Sequence, residues 1–532
     1  MLRVLEECDR VGSSFSPDPV HDLRVSLRRC RSMADGMMAM DPDPDWKAMK
    51  KAGKRLFQRL GDLRDIQIMM EWIDKLREAQ KDTSPSDQEE TASEVVTTVT
   101  AGPIDADPAR DPAAQALLGI LRHNEGQQKH EARAALEEFD RKQWRQWSKS
   151  LPLRASRIRP GSAVFRHLAL ERWTAARELH NRALRNRSQI AFHALRIGIK
   201  RFRYIVENFL PAEHKAWSND LKHMQDLLGE VHDLDVLWAA ALSHRVFPDE
   251  VSRKTWHERI LEERAERIEE YREKMAGPDS LWNVWRAGLP QGKQIREIAT
   301  RRMKLWAKAL DPDFTHSERV ARLAIELYDG LDASGLFGPR QANAPDETGN
   351  GDGADVRATL YVAALLHDVG KAKGNKGHHK ESLELIKKHG TPLGWRPENM
   401  TRAAIVARFH CGALPTRSHK SLRDMLPDEQ RTVIQLSAIL RLANALDSAH
   451  DGHIRKVKIE NVAALSNLRR RRTNGFLRKP APLGKNEALV IAAEGYAPTS
   501  PTAQAVAAER YLLETVLRRP VIVKAMKSSA TG

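Results

Sequence analysis

The chain has 532 residues, of which 30% are charged and 41% hydrophobic, and this length is enough for two to four domains with cores of their own. No stretch approaches the roughly 18 unbroken apolar residues of a membrane-spanning helix, and the first ten residues lack the apolar segment of a secretory signal. We therefore expect a cytoplasmic protein with no membrane partner. The three scattered cysteines, Cys8, Cys30 and Cys411, favour neither a disulfide framework nor a thiolate zinc site.

The positive charge is concentrated in one block. The chain has 87 basic and 71 acidic residues, a net charge of +16. Residues 141–210 contain 17 Lys or Arg and 3 Asp or Glu, a net charge of +14 that accounts for almost the whole excess. Such a field favours polyanions such as nucleic acid, polyphosphate or an acidic membrane surface. A solvated basic face with no ligand is the alternative at this point.

Apolar residues spaced three and four apart along most of the chain predict a mainly α fold. Residues 81–112 hold 2 basic and 8 acidic residues and few core-forming side chains, which predicts a disordered insert. Residues 335–355 are rich in Gly, Pro, Asn and Asp, which predicts a surface loop. Two short segments rich in Val and Ile, 453–462 and 488–493, predict a small β-hairpin near the C-terminus.

The N-terminal half contains an internal repeat. Residues 20–33 read VHDLRVSLRRCRSM and residues 192–205 read FHALRIGIKRFRYI, an offset of 172. A second match follows each copy, since residues 61–66 read GDLRDI and residues 229–234 read GEVHDL, each with a lysine seven residues upstream. Two ordered matches at similar offsets predict a pair of duplicated helical bundles.

Each copy of the repeat predicts a basic stripe along one helix. Positions i, i+3, i+7 and i+10 lie within about 80° of one another around an α-helix. The residues at these positions are His21, Arg24, Arg28 and Arg31 in the first copy and His193, Arg196, Lys200 and Arg203 in the second. Apolar residues flank both stripes, so each helix has a packing face beside its basic face. Stacked cations repel one another, and an extended polyanion relieves that repulsion.

Arginine is suited to phosphate because its planar fork presents paired donors, and charge-assisted hydrogen bonds are worth about 1.5–3 kcal/mol each. The alternative is that nearby carboxylates pair with the stripes and only brace the bundles. The acidic residues available for this are Asp22, Asp62, Asp65, Asp233 and Asp235. They can neutralise only part of the basic cluster, so the sequence favours a polyanion site.

The repeated segments, with LGDLRDIQ and LLGEVHDLDVL behind them, resemble the conserved-histidine α-helical domain, the CHAD family, over roughly residues 1–290. The resemblance implies two pseudo-symmetric four-helix bundles that meet at a basic cleft and bind inorganic polyphosphate. By position it implies a lining of Arg24, Arg28, Arg31, Lys54, Arg55, Arg196, Lys200, Arg203 and Lys222. The stripe histidines His21 and His193 are further candidate polyphosphate-binding residues.

The C-terminal half contains the residue types of a metal centre. The segment ALLHDVGK at 364–371 places a histidine beside an aspartate, and Gly370 permits the backbone to turn there. Upstream, THSE at 315–318 has the form of a capping box and puts its histidine in the first turn of a helix. The predicted metal ligands are His316, His367, Asp368 and Asp447, with His379 and His410 as further candidates.

Two imidazoles and two carboxylates form a mixed shell that suits Mn²⁺, Mg²⁺, Fe²⁺ or Zn²⁺ and leaves positions open for substrate. A divalent ion in such a shell activates water and polarises a phosphoryl oxygen. We expect Asp368 and Lys371 to be the catalytic residues, with Lys371 neutralising charge on the phosphate. Asp447 lies on an otherwise apolar helix, where burial without a partner is costly, and this favours its role as a ligand. His378 and His379 are open to three interpretations: second-metal ligands, phosphate contacts or solvated side chains.

The segments LLHDVGK, GHHKESLELI and AAIVARFHCGALP resemble the HD phosphohydrolase superfamily. The resemblance is closer to the HD-like C-terminal domain of the exopolyphosphatase and guanosine-pentaphosphatase family, over roughly residues 298–525. It implies a helical domain with the metal ligands named above and a final helix at 505–519. The exopolyphosphatase chemistry of that family is attributed to an actin-like domain, and this chain has no Gly-rich phosphate loop of that kind, so the activity is not carried over.

The predicted function is the binding of inorganic polyphosphate, joined to a metal-dependent phosphohydrolase-like domain that acts on polyphosphate, a nucleotide or another phosphoester. One rival is a non-enzymatic protein that binds polyphosphate and senses nucleotide or holds its ion structurally. A second rival is a nucleic-acid-binding protein. The aromatic content of 6% and the lack of aromatic residues that interleave with the stripe residues as a stacking platform disfavour it. Cytoplasmic polyphosphate granules are a location that such binding would permit.

Overall fold

The computed structural model describes residues 1–82, 111–337, 352–460 and 488–526. The chain divides into two compact units, of which the N-terminal unit contains residues 1–39 and 43–290 and the C-terminal unit contains residues 40–42 and 291 onward. The predicted fold class is confirmed, because both units are built from helices and the described residues contain one small sheet. No helix in these described ranges is long and apolar enough to cross a bilayer.

The described part of the N-terminal unit is built from helices. Its described helices are α1 (Leu2–Ser13), α2 (Pro17–Met37), α3 (Pro44–Asp82), α4 (Pro112–Glu137), α5 (Arg141–Ala155), α6 (Ala163–Asn186), α7 (Gln189–Phe209), α8 (Pro211–Ser243), α9 (Glu250–Met275) and α10 (Leu281–Ala287). Helices α2 and α7 begin 172 residues apart and end 172 residues apart, the offset of the sequence repeat. The first matched segment of each copy therefore lies within one helix, and the two helices correspond along their whole length.

Capping residues set the starts of several of these helices. The side chain of Asp111 accepts hydrogen bonds from the backbone N–H groups of Ala113 and Ala114 at the start of α4. The side chain of Ser188 accepts from Ala191 N at the start of α7. These side chains satisfy donors that the first turn of a helix leaves without partners. Most of the predicted acidic insert, residues 83–110, lies outside the described residues.

The apolar flanks of both stripes form the core between the helices. Leu23 and Leu27 of α2 and Leu195 and Ile199 of α7 are all fully buried. Helix α2 packs on α3 and α7, and helix α3 packs on α4 and α8. Because the basic residues follow the same helical spacing, they lie together along one side of the α2 and α7 pair.

The C-terminal unit contains a second helical core and the sheet. Its described elements are α11 (Gln294–Leu310), α12 (Phe314–Ala333), α13 (Asp352–Leu366), a 3₁₀ helix (Val369–Lys373), α14 (His378–His389), α15 (Pro397–Arg408), α16 (Pro427–Leu446), β1 (Lys456–Glu460), β2 (Leu489–Glu494), α17 (Pro501–Glu509), α18 (Tyr511–Leu517) and β3 (Val521–Ala525). Helix α16 is buried over most of its length and packs on α12, α15 and α17. It is the central helix of this unit.

The predicted hairpin is confirmed and extended by a third strand. Strand β1 pairs antiparallel with β2, with Lys456 opposite Glu494, and β2 pairs parallel with β3. The sequence pattern did not predict β3, whose parallel pairing depends on the helical crossover that precedes it. The predicted final helix is divided in two, because α17 ends at Glu509 and α18 begins at Tyr511. Residues 461–462 of the first hairpin segment lie outside the described part of the chain.

Two local predictions are corrected by the C-terminal unit. Helix α12 begins at Phe314 and its cap is Asp313, whose carboxylate accepts from His316 N, so the predicted capping box at 315–318 was wrong. The histidine nevertheless lies in the first turn, as predicted. The predicted loop at 335–355 ends earlier than expected, because α13 already begins at Asp352. Residues 338–351 lie outside the described residues.

Candidate functional site

The two basic stripes meet where α2 packs on α7. Burial lowers the pKa of Arg28, and the charges of Arg203 and Arg196 from α7 lower it further. Burial, together with the charges of Arg196, Arg28 and Arg24, lowers the pKa of Lys200 to about 7. These five residues therefore act on one another across the helix pair. We refer to Arg24, Arg28, Arg196, Lys200 and Arg203 as the cationic cleft.

Two guanidinium nitrogens in the cationic cleft are buried without a hydrogen-bond partner, Nη1 of Arg24 and Nε of Arg28. A buried donor that makes no hydrogen bond costs about 1–3 kcal/mol, and more when it is charged. Buried polar groups are rarely left in this state, and one explanation of an exception is a ligand that supplies the acceptor. An anion bound in the cleft would supply acceptors to both nitrogens.

Most of the acids that could brace the stripes have partners elsewhere. Asp22 pairs with Arg10 at 3.0 Å. Asp62 lies 3.5 Å from Arg59, and Asp235 pairs with Arg264 at 3.1 Å. Among the described residues, no side chain of the cationic cleft forms a direct ion pair with a carboxylate. In the described residues, carboxylates therefore do not saturate the arginines of the cationic cleft, and the alternative of a purely structural stripe is disfavoured.

Two carboxylates remain close to the cationic cleft. Burial raises the pKa of Asp233 to about 6, against the opposing charge of Arg196. Burial also raises the pKa of Asp65, although Arg24 and Arg196 act in the opposite direction. These two residues occupy matching positions in the repeat, and they offset only part of the positive charge.

Glycines of the second repeat match give the arginines room. A Cβ atom on Gly61 would lie 2.6 Å from Nη1 of Arg24, a distance at which the guanidinium would have to move. The matching Gly229 lies beside Arg196, but a Cβ atom there would be 4.0 Å from Nε of that arginine, an ordinary contact. The sequence repeat shows that a glycine follows each stripe at a similar distance. Only the packing of the helices shows that Gly61 makes room for Arg24.

Aromatic rings support three of the stripe arginines. The guanidinium carbon of Arg24 lies 5.1 Å from the ring centroid of Phe57, and that of Arg31 lies 4.6 Å from the same centroid. The guanidinium carbon of Arg28 lies 5.4 Å from the ring of Tyr204. Cation–π contacts of this kind hold the guanidinium groups in place. Neither ring was identified from the sequence.

The remaining predicted cleft residues lie in more exposed positions. Arg55 is exposed and forms an ion pair with Glu138, which directs it away from the predicted lining. Lys54 and Lys222 are both exposed. These three positions depend on the family resemblance, and the fold does not bury them with the cationic cleft.

The two stripe histidines differ between the halves. His193 is half-buried, and its Nδ1 lies 3.2 Å from Nδ1 of His232. Burial, with the charges of Arg196 and His193, lowers the pKa of His232 to about 4. His21 is exposed, and the position that matches His232 is occupied by Arg64. The repeat is therefore pseudo-symmetric rather than identical at this point.

A second candidate site lies in the C-terminal unit, where histidines and an aspartate gather at helix ends. His316 is in the first turn of α12, and His378 is the first residue of α14. His367 and Asp368 follow the last turn of α13, and His410 follows the end of α15. Helix ends leave backbone groups without partners, so side chains placed there can be held by the backbone itself.

Backbone carbonyls fix the orientation of three imidazoles. Nδ1 of His367 donates to Ala364 O at 2.7 Å, and Nδ1 of His410 donates to Ala407 O at 2.7 Å. Nδ1 of His378 donates to the carbonyl oxygen of Asn375 at 2.8 Å. A carbonyl only accepts, so Nδ1 carries the proton in each ring and Nε2 of the neutral ring presents its lone pair. This is the arrangement that metal-binding histidines adopt.

Asp368 lies at the centre of this cluster and is buried. Its Oδ2 lies 3.4 Å from Nε2 of His367, 4.0 Å from Nε2 of His316 and 2.5 Å from Nζ of Lys371. His316, His367 and Asp368 place three potential ligand atoms within 4.8 Å of one another. We refer to these three residues as the first ligand group.

The other carboxylate oxygen of Asp368 faces a different pair of histidines. Its Oδ1 lies 3.3 Å from Nε2 of His378 and 3.6 Å from Nε2 of His410. His378, His410 and Cys411 also have ligand atoms within 4.8 Å of one another. We refer to these three as the second ligand group, and Asp368 lies between the two groups.

Asp447 occupies a supporting position in the cluster. Its Oδ2 lies 2.7 Å from Nδ1 of His316, and both of its oxygens accept from Nε of Arg319 at 3.0 and 2.9 Å. A carboxylate on the far nitrogen of a ligating histidine orients the ring. In this geometry Asp447 orients His316 and is neutralised by Arg319, and it does not belong to the first ligand group. The sequence predicted Asp447 to be a metal ligand, whereas the fold pairs its carboxylate with His316 and Arg319.

His379 also stands apart from the ligand groups. A Cβ atom on Gly412 would lie 3.4 Å from its Nε2, and its ring centroid is 6.5 Å from that of His410. Burial and the charges of Arg408 and His378 lower its pKa to about 4. Of the predicted further candidates, the fold brings His410 into the cluster and leaves His379 beside it.

The charges of the cluster act strongly on one another. Burial would raise the pKa of Asp368, but the neighbouring His367, His378, His410 and Lys371 hold it well below its usual range. The close carboxylate of Asp368 raises the pKa of His378 to about 10. Nε2 of His367 and Oδ1 of Asp368 are buried without hydrogen-bond partners. An imidazole nitrogen and a carboxylate oxygen without hydrogen-bond partners are ligand atoms that suit a divalent cation.

Comparison with protein families assigns each unit separately. Residues 2–242 match the CHAD domain, and residues 295–488 match the domain described as Ppx/GppA phosphatase, domain III. Comparison with curated proteins gives no match. The more specific HD assignment stays a prediction. The N-terminal part of the chain is therefore similar to the CHAD domain, and the part that follows is similar to domain III of the Ppx/GppA phosphatases.

Proposed function

We propose that the N-terminal unit binds inorganic polyphosphate in the cationic cleft. The observation that carries this proposal is the pair of buried, unpartnered guanidinium nitrogens, Arg24 Nη1 and Arg28 Nε. A chain of linked phosphates supplies anionic oxygens at short, regular intervals, so a single ligand can satisfy both halves of the repeat. Each charge-assisted contact contributes about 1.5–3 kcal/mol.

The surroundings of the cationic cleft favour polyphosphate over nucleic acid. Non-specific binding of single strands relies on aromatic rings on which bases stack. The two rings that line the stripes, Phe57 and Tyr204, are covered by the guanidinium groups of Arg24, Arg31 and Arg28. A phosphate chain without bases needs no free ring.

The test compares two neighbouring arginines of α2. Arg28→Gln removes a cleft donor, and we expect polyphosphate retention on a filter to weaken about tenfold or more at fixed salt. Arg29→Gln is the matched control, because Arg29 is half-exposed and already bound to Glu207 at 2.7 Å. Equal affinity of the two variants would contradict the proposal. Tighter binding of RNA than of polyphosphate of equal charge would favour the nucleic-acid alternative.

We propose further that the C-terminal unit is a metal-dependent phosphohydrolase centre. The favouring observation is that His367, His378 and His410 direct Nε2 toward the Asp368 carboxylate from rings whose Nδ1 protons are held by the backbone. His316, His367 and Asp368 would hold a divalent ion, which when bound supplies Lewis-acid activation of a phosphoryl oxygen and of water. Lys371, next to Asp368, would neutralise phosphate charge, and Asp447 would keep the ring of His316 in position.

A phosphate-release screen tests this centre. Full-length protein with Mn²⁺ is incubated with polyphosphate, nucleotides and simple phosphoesters, and Asp368→Ala is compared with His379→Ala, the control for a histidine outside the ligand groups. We expect single-turnover release to fall at least a hundredfold in Asp368→Ala and to change little in the control. Metal bound in the wild type without release from any substrate would favour the non-enzymatic, sensing alternative.

A further inference from the structure

Cys411 belongs to the candidate metal centre, although the cysteine pattern of the sequence gave no reason to place it there. It follows His410 directly after the end of α15, and its Sγ lies 3.8 Å from Nε2 of His378. The ligand atoms of the three residues all lie within 4.8 Å of one another. The other cysteines, Cys8 and Cys30, are buried in the N-terminal unit and take no part.

The two histidines of the second ligand group face each other through their Nε2 atoms. These atoms are 3.0 Å apart, while each Nδ1 is committed to a backbone carbonyl. Two imidazole nitrogens at this distance share either a proton or a metal ion. The fold therefore places both nitrogens where one metal ion can replace the shared proton.

Asp368 offers a fourth donor to the two histidines of the group. Oδ1 of Asp368 is buried without a hydrogen-bond partner and lies 3.3 Å from Nε2 of His378 and 3.6 Å from Nε2 of His410. In tetrahedral zinc, with Zn–N and Zn–O of about 2.0–2.1 Å and Zn–S of about 2.3 Å, neighbouring ligand atoms are about 3.3–3.6 Å apart. The observed separations of 3.0, 3.3, 3.6 and 3.8 Å lie close to this range.

The segment that carries the thiol is anchored from the central helix. Arg441 of α16 donates to Phe409 O at 3.1 Å and to Gly412 O at 3.0 Å, on either side of His410 and Cys411. Its Nε also donates to Glu509 at 2.7 Å. The position of the thiol is thus held by a buried arginine, so little ordering is needed when an ion binds.

We propose that His378, His410, Cys411 and Oδ1 of Asp368 form a zinc site, separate from the first ligand group and sharing Asp368 with it. A thiolate with imidazoles selects Zn²⁺ over Mg²⁺ and Mn²⁺, which prefer oxygen ligands. The first ligand group has no sulfur and keeps open positions, so the two groups take different ions. This inference deepens the metal centre proposed above and rests on it.

The experiment is a titration of metal-free, full-length protein with Co²⁺, followed by displacement with Zn²⁺. Wild type is expected to show a near-ultraviolet thiolate-to-cobalt absorption band and to lose it when Zn²⁺ is added. Cys411→Ser should lack the band and bind Zn²⁺ at least tenfold more weakly at this site. His379→Ala, next to the group but outside it, should retain both the band and the affinity.

A variant of the first ligand group separates this inference from the proposed activity. His367→Ala should abolish phosphate release while keeping the cobalt–thiolate band. Bound cobalt without a thiolate band in wild type, or unchanged zinc affinity in Cys411→Ser, would overturn the zinc site and leave the phosphohydrolase proposal standing. A normal band in a wild-type protein that releases no phosphate would support the zinc site and refute the activity. Circular dichroism of each variant verifies that it is folded.

Discussion

A single lysine illustrates how the cationic cleft works at the residue scale. Lys200 lies among three arginines, from both halves of the repeat, and burial with their charges lowers its pKa to about 7. The groups that face it are Arg24 and Arg28 on α2, Asp65 on α3, Arg196 on its own helix and Asp233 on α8. A bound polyanion would raise the pKa of Lys200, because it favours the charged form.

Polyphosphate affinity should therefore depend on pH. Below about pH 7 the lysine is protonated in both the free and the bound protein, so its contribution to affinity is complete. Above that pH, binding requires uptake of a proton, and we expect the affinity to fall by up to about tenfold per pH unit. Asp233, with a pKa of about 6, acts in the same direction because it gains negative charge as the pH rises.

The measurement is the Kd for polyphosphate from pH 6 to pH 9 at constant ionic strength. Lys200→Arg provides the control, because its guanidinium stays charged over this range. We expect the variant to lose most of the dependence above pH 7. A wild-type Kd that does not change between pH 7 and pH 9 would show that Lys200 is not coupled to the ligand.

Gly61 offers a second residue-scale prediction. A methyl group at this position would lie 2.6 Å from Nη1 of Arg24 and displace its guanidinium, so Gly61→Ala should weaken polyphosphate binding about tenfold. Gly229→Ala is the matched control, because its added methyl group would meet Arg196 at 4.0 Å. Binding isotherms of the two variants, with thermal unfolding of each, test the difference. Equal losses of affinity would mean that Gly61 does not position Arg24.

At the scale of elements, the proposed metal centre is built from helix ends. The turn after α13 is attached to α14 by Ser382, whose hydroxyl donates to His367 O at 2.6 Å and accepts from Gly370 N at 2.9 Å. A Cβ atom on Gly370 would collide with the carbonyl oxygen of His378 and lie 2.6 Å from Ser382 N. The close approach of these two elements is what brings His378 to Asp368.

Gly370→Ala should therefore separate α14 from the turn that carries Asp368. We expect a loss of about 1–3 kcal/mol in the free energy of unfolding of this unit and loss of metal binding at the second ligand group. Gly126→Ala, on α4 with open space around it, is the control and should be neutral or slightly stabilising. Differential scanning calorimetry and metal analysis measure both effects. Full metal binding in Gly370→Ala would contradict the proposed packing role.

The elements themselves were largely predictable. The mainly α class, the repeat and the hairpin follow from the spacing of apolar residues, which reports which face of each element is buried. Strand β3 and the break between α17 and α18 were missed, because a parallel partner and a helix end depend on contacts outside the local segment.

At the scale of the whole molecule, the two candidate sites lie in different compact units. We therefore expect that a substitution in one site abolishes binding there and leaves binding at the other site unchanged. The double substitution Arg28→Glu with Lys200→Glu reverses two charges of the cationic cleft. It should abolish polyphosphate retention and leave the metal content of the full-length protein unchanged. Asp368→Ala should do the opposite. Filter binding of polyphosphate and metal analysis are measured in parallel on both variants. If the double variant still retained polyphosphate, the cationic cleft would be rejected as the binding site.

The sequence by itself determined the duplication and the register of both basic stripes, because helical periodicity is a local property. It also showed the order of the candidate histidine and aspartate ligands along the chain. Only the tertiary structure decided that Asp22 and Asp235 have partners outside the cationic cleft. It alone placed Asp447 behind His316, and Cys411 beside His378. These outcomes depend on which helices pack together, since the partners in each pair belong to different segments that meet only through the burial of a shared core.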